Sequence, residues 1–192
     1  RQGATEDNLI DFTPELRAEA LEITKRYTLG PLFAPPSIRV DGPEGNLGTI
    51  QLPGSQGGAD AQGAAFDPET NYLYVPSITS PFVADILEGN PDRTNLRYVK
   101  GRRQWIGGPR GLPLFKPPYS QLVALDMNAG ERLWSVPLGD GPRDHETLRG
   151  LDLPPLGNYE KLGGPLLTKT LLFIGQGIES NTLRAFDKST GY

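Results

Sequence analysis

The phrase ALDMNAGE at residues 124–131 returns as AFDKSTGY at residues 185–192. Asp126 falls on Asp187 and Gly130 on Gly191, each 61 residues apart, and two matches in one register mark an internal repeat. Each copy is an apolar run that enters an Asp and turns through a Gly. The first copy then leaves through a second apolar run carrying Trp134 and Val136. An Asp side chain can accept hydrogen bonds from turn amides, and Gly takes the left-handed conformation between paired strands. The repeat therefore predicts two antiparallel hairpins of the same make, with Asp126 and Asp187 as structural turn residues rather than a catalytic carboxylate pair.

Upstream of each copy lies another apolar strand, YLYV from Tyr72 and LLFI from Leu171. These are 99 residues apart, so the first unit holds 38 extra residues, an insertion over 78–119. The runs TNYLYVPS, SQLVALD, ERLWSVPL, LLTK, TLLFIG and NTLRAFD are short, rich in Leu, Val, Tyr and Phe, and bounded by Gly, Pro, Asn and Asp, as strands are. Four strands in about sixty residues describe a β-propeller blade, somewhat longer than the roughly 40–45 of the shortest blade families. Trp134 would supply a flat surface for packing blade on blade, its indole N–H needing a carbonyl partner.

The predicted fold class is all-β, a partial β-propeller of about two blades with one N-terminal helix. Residues 1–60 form a helix-containing lead-in with strands of a preceding blade. Residues 61–140 form a blade with its insertion, and residues 141–192 a connector and an incomplete next blade. Two blades cannot close a ring, so their edges call for further sequence to cover them; the chain reads as a piece of a larger protein.

The helix is TPELRAEALEITKRY, predicted over 14–27: Thr13 can cap, Pro14 stands at the tolerated first position, and Glu15 suits the positive helix end. Leu16, Ala20, Ile23 and Tyr27 recur on one apolar face. The chain's 24 Gly and 19 Pro among 192 residues far exceed the usual share of about 12%, which favours short strands and loops elsewhere. A balance of 19 basic against 23 acidic residues leaves no electrostatic footprint for nucleic acid. With no Cys, a disulfide framework, a thiolate metal site and a Cys nucleophile are all excluded. No run approaches the roughly 18 apolar residues of a membrane span, and the N-terminus lacks the regions of a signal peptide.

LVALDMNAGERLW resembles the tryptophan-docking motif AxDxxxGxxxW of the quinoprotein dehydrogenases, which use pyrroloquinoline quinone (PQQ). GAAFDPETNYLYVPS, GLPLFKPPYSQLVALD, GDGPRDHETLRGLDLPPLG, GGPLLTKTLLFIG and LRAFDKSTGY, in that order, resemble the C-terminal half of the glucose-dehydrogenase-like branch of that family. The resemblance covers about residues 30–192. It implies an eight-bladed propeller with the quinone near the axis beside Ca²⁺ or a similar divalent ion. The activity implied is oxidation of a sugar or alcohol CH–OH group, a carboxylate accepting the hydroxyl proton, the metal polarising the quinone and electrons passing to a respiratory quinone or cytochrome. It also implies a periplasmic or periplasm-facing setting, with the remaining propeller blades as partners.

The family's catalytic Asp and most of its metal ligands lie on earlier blades, so none is assigned here and the isolated segment is expected to be inactive. The resemblance gives this part a wall of the quinone pocket. One contribution is the segment before GAAFDP, where Asp60 and Gln62 keep hydrogen-bonding capacity. Ala61 stands there where many members have Trp, which removes an aromatic surface. The other is Asn181 and Thr182 in GIESNTLRAFD, matching positions that face the axis.

The remaining motifs take plainer readings. His145 in GPRDHETL is a solvated loop residue, since a catalytic imidazole needs an orienting partner. RYVKGRRQW is a solvated charged loop on the insertion. GSQGG lacks the Lys-Ser/Thr and the helix of a phosphate loop, and GLPLFKPPY is a rigid extended connector. The alternative to the enzyme is a non-catalytic β-propeller scaffold or binding protein of the cell envelope that keeps the docking repeats for rigidity.

Overall fold

A computed structural model of the chain describes residues 2–55, 57–59, 63–102, 104–159, 162–176 and 182–192. Among the described residues one α-helix, α1 (Pro14–Thr24), precedes eleven strands: β1 (Ser37–Ile38), β2 (Thr49–Gln51), β3 (Ala65–Asp67), β4 (Tyr72–Ile78), β5 (Phe82–Glu88), β6 (Tyr98–Lys100), β7 (Ser120–Asp126), β8 (Glu131–Pro137), β9 (Leu162–Leu167), β10 (Leu171–Gln176) and β11 (Thr182–Asp187). The chain divides into two compact units, Arg1–Gln56 with Ser80–Lys116, and Gly57–Thr79 with Pro117–Tyr192. The insertion thus packs with the N-terminal segment, a grouping that follows from strand pairing and not from sequence order.

In the first unit Thr13 caps α1, its hydroxyl accepting from the Leu16 amide at 3.3 Å. Leu16, Ala20 and Thr24 are buried on one face. The helix stops at Thr24, three residues short of the predicted end. The cause is competition for backbone: the Arg26 carbonyl accepts from Leu47, and Thr28 exchanges hydrogen bonds with Gly48 and Ile50 at 2.7–2.9 Å. Strand-like pairing there takes the place of another helical turn. Around β5 gather β2 and β6, both antiparallel, and β1, which is parallel. RYVKGRRQW is not a loop throughout, because Tyr98–Lys100 form β6.

The second unit contains both copies of the repeat. β3, β4, β7 and β8 form one antiparallel sheet in that order, and β9, β10 and β11 form another. β4 pairs with β7 from Tyr72↔Asp126 to Ile78↔Ser120 without a break. Pro76, which has no amide to donate, is tolerated because β3 pairs with β4 only as far as Tyr74. A bulge places Leu133 opposite no residue of β7, since Ala124 faces Trp134 and Leu125 faces Arg132. Beyond it Trp134 and Val136 stand opposite the buried Ala124 and Leu122, so the bulge resets which β8 side chains meet the core. Alternate residues of both sheets, among them Tyr74, Leu122, Ala124, Leu172, Ile174 and Phe186, make one apolar cluster.

Candidate functional site

The repeated phrase folds the same way twice. In the first copy the Asp126 carboxylate accepts from the Asn128 amide at 2.8 Å and the Ala129 amide at 3.4 Å, and its carbonyl accepts from Gly130 at 2.8 Å. In the second the Asp187 carboxylate accepts from the Ser189 amide at 2.8 Å and the Thr190 amide at 3.2 Å, and its carbonyl accepts from Gly191 at 2.8 Å. Hydrogen bonds from the Ser189 side chain and then its amide hold the Asp187 carboxyl below its ordinary range. Gly130 and Gly191 have φ of 71° and 81°, a region costly for any residue with a Cβ. Both Asp carboxylates are therefore engaged in turn geometry.

The two copies also touch. Trp134 packs on the Gly191 turn so closely that a Cβ at Gly191 would lie 2.8 Å from the indole ring. Tyr74 packs against the same indole, with ring centroids 5.8 Å apart. The Trp134 Nε1 is buried and has no hydrogen-bond partner among the described residues.

Next to this contact Lys188 Nζ lies 2.6 Å from Asp67 Oδ2, the two side chains only 15% and 4% exposed. Asp67 Oδ1 also accepts from the Glu69 amide at 3.1 Å. The Lys188 hydrogen bond, the strongest influence, holds the Asp67 carboxyl below its ordinary value despite burial. Tyr74 donates its hydroxyl to the Lys188 carbonyl at 3.1 Å, and burial pushes that phenol up to about 12. Asp67 ends β3 and Lys188 follows the end of β11, so both strands finish on one side of the second unit.

Of the residues that the sequence assigns to a quinone wall, Thr182 is described: it is the first residue of β11, paired with Gln176 across the ladder and exposed. Asp60, Ala61, Gln62 and Asn181 lie outside the described residues. Leading into β3, the Gly58 carbonyl accepts from Ile78 at 2.8 Å, which ties the segment to the end of β4. His145 closes a local turn, its Nδ1 accepting from the Thr147 amide at 3.2 Å. That contact commits the ring nitrogen to backbone. Among the described residues no three His, Cys, Asp or Glu side chains gather as a metal cluster, and no helix is long and apolar enough to cross a membrane.

One charged group escaped the sequence reading. Asp85, in the middle of the apolar β5 run FVADILE, has a side chain only 1% exposed, with Arg39 Nη1 3.6 Å away. Its signal in the sequence was an acid at the centre of a strand that is otherwise apolar.

The sequence matches, over residues 1–192, the family model described as the glucose/ethanol/alcohol dehydrogenase β-propeller domain of PQQ proteins. It is 28% identical over 181 residues to a quinate/shikimate dehydrogenase (quinone) of Acinetobacter baylyi, covering 81% of this chain and 22% of that protein. It is 24% identical to quinoprotein glucose dehydrogenase A of Acinetobacter calcoaceticus, over 87% of this chain and 22% of that protein. The large subunit of a Gluconobacter thailandicus glycerol dehydrogenase is 28% identical, over 83% and 24%. The chain thus spans under a quarter of the length of these curated relatives.

Proposed function

The chain belongs to the glucose/ethanol/alcohol dehydrogenase β-propeller family of PQQ proteins, and from that premise we propose that it is a segment of a quinoprotein oxidoreductase acting on a sugar or alcohol CH–OH group. The observation that carries this reading is the repeated Asp-turn-Gly unit with Trp134 laid on the Gly191 turn of the next copy. Repetition of such a contact from blade to blade locks a ring, and we assign it the tryptophan-docking role. The share of each relative that this chain spans supports its being one part of that ring.

Within the whole protein this segment supplies a wall of the quinone pocket. Thr182, exposed at the start of β11, offers a hydroxyl that can both donate to and accept from a quinone oxygen. Asp60, Gln62 and Asn181 complete the proposed wall. The bound quinone supplies the capacity to take two electrons from the substrate carbon. This chain's own contribution is binding, orientation and exclusion of water. The catalytic carboxylate and the Ca²⁺ ligands belong to other blades, so the isolated segment has no turnover. The activity of the Acinetobacter baylyi relative, a quinate/shikimate dehydrogenase (quinone), supports a quinone as electron acceptor, and we place the reaction on the periplasmic side.

The test uses the full-length protein reconstituted with PQQ and Ca²⁺, with dye reduction followed over a panel of aldoses, polyols and alcohols. Substrate-dependent turnover is expected, and Thr182→Val should weaken quinone binding about fivefold, the worth of one hydrogen bond near 1 kcal/mol. Absence of both quinone binding and turnover would overturn the reading in favour of an envelope scaffold, as would turnover by the isolated segment overturn the assignment of the catalytic groups elsewhere.

A further inference from the structure

The outer edge of β6, in the first unit, is open. In the antiparallel β5–β6 pair the Gly89 amide donates to the Arg97 carbonyl at 2.8 Å and the Gly101 amide to the Asp85 carbonyl at 3.0 Å. Residues 97, 99 and 101 therefore turn their backbone groups toward β5, in the register Ile86↔Lys100 to Glu88↔Tyr98. Because that direction alternates along an antiparallel strand, the N–H and C=O groups of Tyr98 and Lys100 point away from β5. No strand among the described residues pairs with them there. Unpaired donors and acceptors in strand register are a template for one more strand.

The side chains of this edge are cationic. The whole chain has a net charge of -4, yet its sequence from Arg93 to Arg103 contains five cations and no acid. Arg97, Lys100 and Arg102 are exposed, and none of the three enters an ion pair among the described residues. The Arg97 guanidinium lies over the Tyr98 ring, 5.1 Å from its centroid, a contact that holds the cation at the edge. Leu96 and Trp105, 61% and 57% exposed, add apolar surface before and after the strand.

The chemistry narrows the occupant. A second copy paired edge to edge would set these cations against their own counterparts, and like charges on facing strands repel. A lipid surface would suit the cations and Trp105 but would leave the outward amides and carbonyls without partners in an apolar phase. Phosphate groups accept hydrogen bonds and would leave the two carbonyls unanswered. An extended acidic peptide answers all of these groups, its backbone completing the ladder and its carboxylates meeting the cations. We propose that the outer edge of β6 is a docking site for an acidic extended segment of a partner protein, which adds to the sheet as a further strand and sets its carboxylates against Arg97, Lys100 and Arg102. The site lies entirely within the first unit and does not depend on the quinone reading.

The test titrates the purified protein, without quinone, into a labelled peptide of alternating Glu and Val, followed by fluorescence anisotropy. The controls are the Lys-Val peptide, the Glu-Val peptide N-methylated at alternate amides, and vesicles containing phosphatidylglycerol. The Glu-Val peptide should bind saturably, about tenfold or more tightly than either control peptide, and more weakly as salt rises. Lys100→Gln with Arg102→Gln, at exposed positions, should raise its Kd about tenfold. Hydrogen exchange in the parent protein supplies a readout that needs no variant: the Tyr98 and Lys100 amides should exchange fast in the free protein and become protected with the peptide bound. Equal binding of the Glu and Lys peptides, indifference to N-methylation, amides left unprotected, or binding to the vesicles with none to the peptide would each overturn the proposal. Because no turnover is read, its failure is separate from any failure of the dehydrogenase reading.

Discussion

Replacing Lys188 with Met removes the cation from a solvent-shielded pair and leaves the Asp67 carboxylate facing the core. The pair is 2.6 Å long and its members are 15% and 4% exposed. Removing one partner of a buried pair typically costs about 3–5 kcal/mol, and the partial exposure of Lys188 selects the lower end, about 3 kcal/mol. In a chain of this size that corresponds to a fall in Tm of roughly 6–12 °C. The assay is thermal unfolding followed by Trp134 fluorescence in a Trp105→Phe background, since the chain has only two Trp and Trp134 rests on the Gly191 turn beside Lys188. The pH dependence sharpens the test. In the parent the Asp67 carboxyl is held below its ordinary value of 3.8, so its stabilising contribution is complete above that value and is lost as pH falls through the lowered one. In Lys188→Met the cation is gone while burial and the hydrogen bonds from Glu69 and Thr70 remain, so the carboxyl titrates higher than in the parent and the variant loses less stability as pH falls. The gap between the two proteins should be widest near neutrality and close in acid. A loss under about 1 kcal/mol, as for a surface pair, or a gap independent of pH, would refute the reasoning.

The two repeat glycines separate conformational strain from steric overlap. Gly130→Ala meets nothing within 4 Å and should cost only the left-handed backbone penalty of about 1–2 kcal/mol, whereas Gly191→Ala also drives a methyl into Trp134 and should cost a further 1–3 kcal/mol or so; equal losses in denaturant titrations would argue against the packing. The Asp187 carboxyl, lowered first by the Ser189 hydroxyl, should titrate below 3.8 by NMR and move up in Ser189→Ala, and an unchanged midpoint would remove that hydrogen bond from the account.

The elements read most easily from the sequence are those whose pattern is local. SQLVALD and ERLWSVP became β7 and β8 because alternating apolar residues, an Asp that binds its own turn and a positive-φ Gly all lie within eighteen residues and agree with one another. The end of α1 was not local: Arg26 and Thr28 carry a sequence compatible with helix, and residues 47–50, twenty positions on, claim their backbone. The proposed quinone wall rests on the resemblance alone, since polar residues on loops have no periodicity to betray them. Equally non-local is the link between the end of β3 and the turn after β11, made by Asp67 and Lys188 across 121 residues. Asp85 is the extreme case. Whether an acid in FVADILE faces water or is enclosed is decided by a parallel β1 partner at Ser37, by Arg39 beyond it, and by a missing side chain at Gly101. Periodicity finds the strand, but only the pairing of distant segments determines which of its polar groups is enclosed and which cation, here Arg39, is brought beside it.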